Sequence, residues 1–365
     1  MKLKFKKYLQ GESGYKGGKA KPDLEGKKIY KLSSNENALG SSPKAMEAID
    51  KFKHTLYEYP DAQDERLRTA LSEYYKGELL DAQFITTNSG VANLEMIIQG
   101  FMDEESECIY SDPAFGPYKE FPKKFGARAK NVPLVGDEFD MNVSAILEAV
   151  TDKTSIIFIT SPNNPTGTYL PKNHIDELIS KVPDHVVVVF DEVYFQYADA
   201  EDYVRALPYV LAGKNVIGVN SFSKAYGLAG LRIGYSYSTP EIAQYLRNIR
   251  RPFMINKLSL EAAMAALQDE EFIEKTVNLA VKEKYYMYEQ LDALGVKYWK
   301  TQANFIMMEP EMSPSDFEDA MLLEGIMVRP VGPFGAPTCV RVTLGTREAN
   351  DAFLKAYRSV MVVNS

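Results

Sequence analysis

The sequence predicts an α/β fold in which a large domain, built on a doubly wound and mostly parallel sheet, is followed by a smaller C-terminal α+β domain. Residues 155–160 and 186–190 are continuous apolar runs, which are typical of strands buried on both faces. A helical segment that Pro171 introduces lies between them, and alternating strands and helices favour a parallel sheet. A chain of 365 residues has the length for one large and one small domain.

The expected domain boundaries follow changes in composition along the chain. Residues 1–35 are rich in Lys and Gly and are expected to form an irregular N-terminal arm. Residues 36–270 carry the alternating pattern of the large domain. A long charged helix begins near residue 270 and leads into the small domain of residues 271–365, which contains further strands and helices.

The remaining elements are predicted from local signals. Ser42 and Pro43 combine an N-cap residue with a proline at the first helical position, so a helix is expected to begin there. Gly295 ends the long charged helix, because glycine adopts the left-handed conformation easily. Apolar patterns predict further strands at residues 84–88, 107–110, 215–220, 296–299, 304–308 and 340–344, and further helices at residues 64–75, 91–101, 241–248, 258–267, 314–323 and 347–360.

Composition and charge narrow the classes of function. With 45% hydrophobic and 25% charged residues the chain has the make-up of a soluble globular protein. Its net charge of -8 argues against general binding to nucleic acid or to anionic membranes. The apolar runs are too short to cross a bilayer, and polar residues rather than the apolar stretch of a secretory signal follow the basic start. Local arginines therefore have to hold any anionic substrate.

The cysteines and histidines give no sign of a disulfide framework or of a metal site. Cys108 and Cys339 are far apart and lack the CxxC spacing, which predicts free thiols in a reducing compartment and hence a cytoplasmic protein. The three histidines are scattered singly, so no metal is expected.

One lysine stands at a position suited to covalent chemistry. Lys224 follows the predicted strand at 215–220, and ligands of open α/β sheets bind at the carboxyl ends of the strands. Ser221 and Ser223 precede it and Arg232 follows, so an amine, hydroxyls and a guanidinium are available together. This combination suits a carbonyl compound that carries a phosphate, most simply pyridoxal 5'-phosphate (PLP). The alternative is a surface loop whose lysine is merely solvated.

Polar residues follow two further predicted strands. Asn164, in the turn SPNNPTG, can donate a hydrogen bond to the phenolate oxygen of PLP. Asp191 can pair with the pyridine nitrogen and keep it protonated, or it can be a structural acid or a helix cap. The Ser89-Gly90 turn offers unpaired N–H groups for an anion, or is a plain connection. Arg341 is either an ordinary outward-facing residue or a bidentate holder of a carboxylate or phosphate.

Taken together, the motifs resemble the histidinol-phosphate aminotransferase family, a branch of the class I and II aminotransferases of PLP fold type I. The resemblance covers nearly the whole chain, in the family's order: LSSNENALG at 32–40, YPD at 59–61, SPNNPTG at 161–167, DEVY at 191–194, SFSK at 221–224, GLAGLRIG at 227–234, ANFI at 303–306, GIMVRP at 325–330 and VRVTLGT at 340–346. It implies a homodimeric enzyme that uses PLP and acts on small-molecule amines and 2-oxo acids.

The same resemblance implies a role for each site residue. Lys224 would bind PLP covalently and move the proton between the substrate and the cofactor, while Asp191 would pair with the pyridine nitrogen. Asn164 and Tyr194 would contact the 3'-oxygen. The other cofactor contacts would be Gly90, Val91, Ser221, Ser223 and Arg232 at the phosphate, Phe115 on the ring, and Tyr59 at the phosphate in the neighbouring subunit. The positions that face the substrate would be Tyr15, Asn256, Arg329 and Arg341.

The function implied by the resemblance is transfer of an amino group between histidinol phosphate, or a related phosphorylated or aromatic amine, and 2-oxoglutarate. Three departures from the family pattern bear on the identity of the substrate: no Asp-Glu pair follows Gly90, NENA replaces NENP, and the arm reads YKGGK. The alternatives are a PLP-dependent phosphoamino-acid decarboxylase, an aromatic amino acid aminotransferase and a non-catalytic PLP-binding module. The presence of both Lys224 and Asp191 argues against the last.

Overall fold

The computed structural model describes residues 3–10, 22 and 26–364 of the chain. In chain order, the first elements are β1 (Tyr30–Lys31), α1 (Pro43–Phe52), α2 (Glu65–Tyr74), β2 (Phe84–Thr87), α3 (Gly90–Phe101), β3 (Glu107–Tyr110), α4 (Pro117–Glu120), β4 (Arg128–Asn131), α5 (Val143–Ala149), β5 (Thr154–Thr160), α6 (Lys172–Lys181), β6 (Val187–Asp191), α7 (Leu207–Leu211), β7 (Val216–Ser221) and β8 (Gly234–Tyr237). The later ones are α8 (Pro240–Ile249), α9 (Lys257–Leu267), α10 (Glu270–Ala293), β9 (Lys297–Tyr298), β10 (Phe305–Glu309), α11 (Pro314–Leu323), β11 (Ile326–Met327), β12 (Arg329–Pro330), β13 (Val340–Thr343) and α12 (Arg347–Asn364).

Seven strands form the large sheet, in the order β2-β8-β7-β6-β5-β3-β4. The strands from β7 to β4 are parallel, whereas β8 runs antiparallel to both of its neighbours. The predicted α/β class with a mostly parallel sheet is therefore confirmed. In the register of the central strands, Asp191 pairs with Thr160 on one side and with Val219 on the other. The carboxyl ends of β5, β6 and β7 consequently lie side by side.

Successive residues of the central strands pack into two different cores. In β5, Ile157 and Ile159 belong to one apolar cluster, and Ile156 and Phe158 belong to another on the opposite face of the sheet. Helices α1, α2, α6 and α9 contribute to the first cluster, and α3 and α8 to the second. Because helices cover both faces, the central strands carry no polar face, which explains their unbroken apolar sequences.

The C-terminal part of the chain builds a second, antiparallel sheet in the order β12-β13-β10-β9, and its core includes side chains of α10, α11 and α12. β1 pairs in parallel with β11, with Tyr30 opposite Ile326, so the end of the predicted arm packs with this part. The proposed division into an arm, a large domain and a small domain stays a prediction. Within the described residues, no helix is both long and apolar enough to cross a membrane.

The predicted helix boundaries can be compared with the observed caps. The Ser42 hydroxyl accepts a hydrogen bond from the Ala45 N–H, and Pro43 is the first residue of α1. Gly295 has a φ of 68° and ends the turn that closes α10. Both features agree with the sequence signals, because the cap residue satisfies a free helical N–H and glycine has no Cβ to strain the left-handed conformation.

Candidate active site

A cavity of about 290 Å³ opens where β5, β6 and β7 end, beside the start of α3, and β12 and β13 close its other side. It lies where ligands of open α/β sheets bind. Twelve of the residues proposed from the sequence line it: Gly90, Val91, Phe115, Asn164, Asp191, Tyr194, Ser221, Ser223, Lys224, Arg232, Arg329 and Arg341.

Lys224 reaches into the cavity from the loop after β7. Its amine donates hydrogen bonds to the carbonyl oxygens of Ser34 and Asn35, at 3.3 and 3.4 Å. Burial of the amine, together with the positive charge of Arg341, lowers the pKa of Lys224 to about 7. A large share of this amine is therefore neutral, and able to act as a nucleophile, at neutral pH.

The loop that carries Lys224 is fixed against the segment before α1. The Ser42 N–H donates to the Tyr226 carbonyl oxygen at 3.2 Å. Gly227 has a φ of 68°, and a Cβ on it would collide with the carbonyl oxygen of Gly40. A glycine is thus required here on two grounds, backbone conformation and space.

One end of the cavity is rich in hydrogen-bond donors. The Ser221 hydroxyl donates to that of Ser223 at 2.9 Å, and the Arg232 guanidinium lies 3.5 Å from the Ser223 oxygen. The first N–H groups of α3 have no carbonyl partner within the helix, and the Ser89 hydroxyl satisfies the one of Ala92. The cavity-lining Gly90, at the start of this helix, packs so closely on the backbone of β8 that a Cβ on Gly234 would collide with it. Hydroxyls, a guanidinium and a helix N-terminus suit a phosphate.

Asp191 is the buried carboxyl group of the cavity, with only 5% of the residue exposed. The Tyr118 hydroxyl donates to its Oδ2 at 2.6 Å, and the Val193 N–H approaches Oδ1 at 3.4 Å. Burial raises the pKa of Asp191 to about 6, although the bond from Tyr118 opposes the shift. At neutral pH this carboxyl is ionised at a cost, so a cationic partner in the cavity stabilises it.

Two arginines, on β12 and β13, line the side of the cavity opposite the large sheet. Arg329 and Arg341 are paired in the register of β12 and β13, so their side chains share a face of the small sheet. Arg341 is 5% exposed, and its guanidinium donates to Asn164 Oδ1 and to the Ser33 carbonyl oxygen. Arg341 is therefore not the outward-facing residue that the sequence left possible. The ring of Phe334 lies 5.7 Å from each guanidinium carbon.

Two of the proposed residues, Tyr59 and Asn256, do not line the cavity, and a third cannot be placed. Tyr59 is 85% exposed, lines a separate cavity of about 200 Å³ and contacts the Phe253 ring at 5.1 Å. The Asn256 side chain caps α9 by accepting from the Ser259 N–H at 2.9 Å. Tyr15 lies outside the described residues. The roles proposed for these three residues stay predictions.

Sequence reasoning assigned no role to several further residues that line the cavity, among them Asn35, Tyr118 and Phe334. Asn35 belongs to the LSSNENALG motif, so a signal existed but no role was attached to it. Tyr118 and Phe334 carry no local signal, because Tyr118 meets Asp191 from 73 residues away and Phe334 comes from a loop near the end of the chain.

The arrangement fits PLP. Its donors suit the phosphate, Asp191 suits a protonated ring nitrogen, and Lys224 offers an amine that is partly neutral. Among the described residues, no group of three His, Cys, Asp or Glu side chains could hold a metal ion.

Comparison with known proteins identifies similar aminotransferases by a family match and by sequence identity. Residues 27–356 match the family described as aminotransferase class I and II. The chain is 38% identical over 340 residues to the histidinol-phosphate aminotransferase of Moorella thermoacetica, covering 93% of this chain and 87% of that protein.

Solved structures show the same fold at lower identity. The histidinol-phosphate aminotransferase from Clostridium acetobutylicum aligns with a TM-score of 0.83 at 23% identity, over 92% of this chain and 100% of that one. The histidinol-phosphate aminotransferase from Sinorhizobium meliloti, solved in complex with pyridoxal-5'-phosphate, aligns with a TM-score of 0.81 at 23% identity, over 92% of both chains. At this identity the likeness shows the fold alone.

Proposed function

This chain belongs to the aminotransferase class I and II family, and we propose that it transfers an amino group between histidinol phosphate, or a related phosphorylated or aromatic amine, and 2-oxoglutarate. The observation that carries this proposal is the meeting, in one cavity, of a lysine with a depressed pKa, a buried carboxyl group and two arginines. The family uses PLP. When bound, PLP supplies an aldehyde that condenses with amines and a ring that withdraws electrons from the carbon bearing the amine.

The residues at the strand ends would hold this cofactor. Asp191 keeps the ring nitrogen protonated, since a negative charge nearby favours the charged form of the ring. The phosphate would be held by the N–H groups of Gly90 and Val91 together with Ser221, Ser223 and Arg232, and Phe115 would cover the ring. Asn164 and Tyr194 would donate hydrogen bonds to the 3'-oxygen.

In this proposal Lys224 would hold the cofactor covalently and would also carry the proton. With PLP bound, the neutral Lys224 amine would take a proton from the amine-bearing carbon of the substrate and return one to the cofactor. A pKa of about 7 suits this exchange, because a group that both accepts and donates a proton works best near the ambient pH.

The arginines select an anionic substrate. A guanidinium offers a planar fork that binds a carboxylate or phosphate through two hydrogen bonds. In this proposal Arg329 and Arg341 bind the phosphate of histidinol phosphate or the carboxylate of glutamate. A chain with a net charge of -8 needs such a local positive site to attract either anion.

A second copy of the chain completes the site in this proposal. Tyr59 would reach the phosphate of the cofactor in the neighbouring subunit, and Asn256 and Tyr15 would face the substrate. The exposure of Tyr59 and of its neighbours Leu56, Tyr57 and Phe253 supports this arrangement, because a shared surface of such residues suits association.

The proposed compartment is the cytoplasm. Cys108 and Cys339 are both buried as free thiols, which suits a reducing environment. Cell fractionation with a marker enzyme for each compartment would check this proposal.

The experiment that tests the function is an assay of the purified protein loaded with PLP. We expect glutamate to form from histidinol phosphate and 2-oxoglutarate with a higher kcat/KM than is measured for the two alternative substrates. Phenylalanine with 2-oxoglutarate tests the aromatic alternative, and release of carbon dioxide from phosphothreonine tests the decarboxylase. A preference for phenylalanine, or carbon dioxide without glutamate, would overturn the proposed substrate or the proposed reaction.

A further inference from the structure

Asn35 forms hydrogen bonds with three separate parts of the chain at the cavity, through Lys224, Tyr194 and Thr343. It lies between β1 and α1, is 1% exposed and has a φ of 56°, a left-handed conformation that Asn tolerates better than most residues. The segment at this turn accepts hydrogen bonds from two of the cationic side chains of the site. The Ser33 carbonyl oxygen accepts from Arg341, and those of Ser34 and Asn35 accept from Lys224.

The orientation of the Asn35 amide follows from its contact with β13. The Asn35 backbone N–H donates to the Thr343 hydroxyl oxygen at 2.9 Å. The Thr343 hydroxyl can then donate its own hydrogen to Asn35 Oδ1, at 3.3 Å. With Oδ1 acting as an acceptor, the amide nitrogen faces Tyr194 and donates to the tyrosine oxygen at 2.9 Å.

The hydrogen bond from Asn35 determines the direction in which the Tyr194 hydroxyl can donate its own hydrogen. Tyr194 is 3% exposed and lines the cavity, and burial raises the pKa of its hydroxyl, which therefore stays protonated. Since the oxygen accepts from Asn35, the O–H is free to donate toward the cavity. The orientation of the Asn164 amide is fixed in the same way. Its Oδ1 accepts a hydrogen bond from Arg341, so its NH₂ group remains as a donor.

We propose that Asn35 is a positioning residue that fixes the Tyr194 hydroxyl as a hydrogen-bond donor toward an anionic oxygen of the ligand. The inference rests on the proposed function, in which this oxygen is the 3'-oxygen of PLP. Through Thr343, the same residue ties this donor to the strand that carries Arg341.

Two substitutions separate positioning from packing. Asn35→Asp keeps the shape, the left-handed backbone and the acceptor for Thr343, but it replaces the donor that faces Tyr194 with an acceptor. The Tyr194 hydrogen then turns toward the new carboxylate and away from the cavity. Asn35→Gly also tolerates the backbone, but it removes every side-chain contact and leaves the Tyr194 hydroxyl free to donate into the cavity.

The readout is the pH midpoint of the absorption change of bound PLP, measured on the holoprotein. A donor to the 3'-oxygen stabilises its negative charge, so loss of the donor makes this oxygen more basic and moves the midpoint to higher pH. We expect Asn35→Asp to raise the midpoint by about one pH unit, a tenfold change in the proton equilibrium, and by more than Asn35→Gly does. A packing role alone predicts the reverse order.

A double-mutant cycle separates the hydrogen bond from the charge that Asn35→Asp adds. In a Tyr194→Phe background the added charge is still present but the hydroxyl is not, so the shift caused by Asn35→Asp should fall to about half or less. An equal shift of the pH midpoint in both backgrounds, or no shift in either, would overturn the inference. The proposed function would still stand in that case if the wild type binds PLP and is active. A wild type that does not bind PLP would overturn both.

Discussion

At the scale of single residues, the depressed pKa of Lys224 is the most direct property to measure. The amine should react with acetic anhydride at a rate that rises through pH 7, because the neutral form is the nucleophile. Arg341→Gln removes the positive charge beside Lys224, so the pKa of the amine should rise and the rate at pH 7 should fall severalfold. Arg341→Lys keeps the charge and serves as the control. Mass spectrometry of the Lys224 peptide of the apoprotein measures the rate, and an apparent pKa above 9 in the wild type would contradict this account.

Asp191 leads to a prediction about stability and pH. Its pKa is raised from 3.8 to about 6 by burial, so its ionisation costs the apoprotein about 3 kcal/mol, a cost that develops between these two values and is complete above pH 6. A protonated ring nitrogen beside the carboxylate offsets this cost. The gain in Tm on adding saturating PLP should therefore be larger at pH 8 than at pH 5. Asp191→Asn should remove most of that difference; an unchanged difference would mean that the carboxyl group does not face the cofactor.

At the scale of elements, the loop after β7 offers a matched pair of glycines. Gly227→Ala forces a side chain into a left-handed backbone and against Gly40, which should cost about 1–3 kcal/mol and displace Lys224. Gly230→Ala is the control, since a Cβ there meets no atom within 4 Å and its φ is not in the left-handed region. Thermal unfolding and the extent of PLP incorporation should fall for the first variant and stay near wild type for the second. Similar losses in both would contradict the proposed fit of the loop.

The strands show which elements a sequence can predict. β5 and β6 were predictable because helices cover both faces, which leaves continuous apolar runs such as Ile156 to Ile159. β1 was missed within the expected irregular arm, because its two residues pair with Ile326 and Met327, almost 300 positions away, and carry no periodic pattern. β12 was missed for a similar reason, since it too is only two residues long.

At the scale of the whole molecule, the same contrast holds for the candidate site. Lys224, Asp191 and Asn164 were predictable because each lies at or just after the end of a buried strand of one parallel sheet, where strand ends meet. Asn35, Tyr118 and Phe334 were not assigned, because their positions depend on contacts between distant segments. Local sequence patterns indicate where strands end, but they do not state which far part of the chain covers them.

The proposed dimer leads to a complementation test. Lys224→Ala and Tyr59→Ala each impair both sites of their own homodimer. In a mixed dimer both lesions fall in one site and the other site is intact, so random mixing after unfolding and refolding should restore about a quarter of the wild-type activity. Refolding each variant alone is the control. Activity in the mixture no higher than the mean of the two variants, or an active wild-type monomer in sedimentation, would contradict a shared site.

The central claim is that Lys224 holds PLP in the cavity at the strand ends, and reduction of the holoprotein with borohydride tests it most directly. Reduction fixes the cofactor on the lysine that binds it, and peptide mapping by mass spectrometry then locates the label. We expect one phosphopyridoxyl group per chain, on Lys224, and no stoichiometric label in Lys224→Ala. Stoichiometric labelling of a different lysine in the wild type would contradict the account.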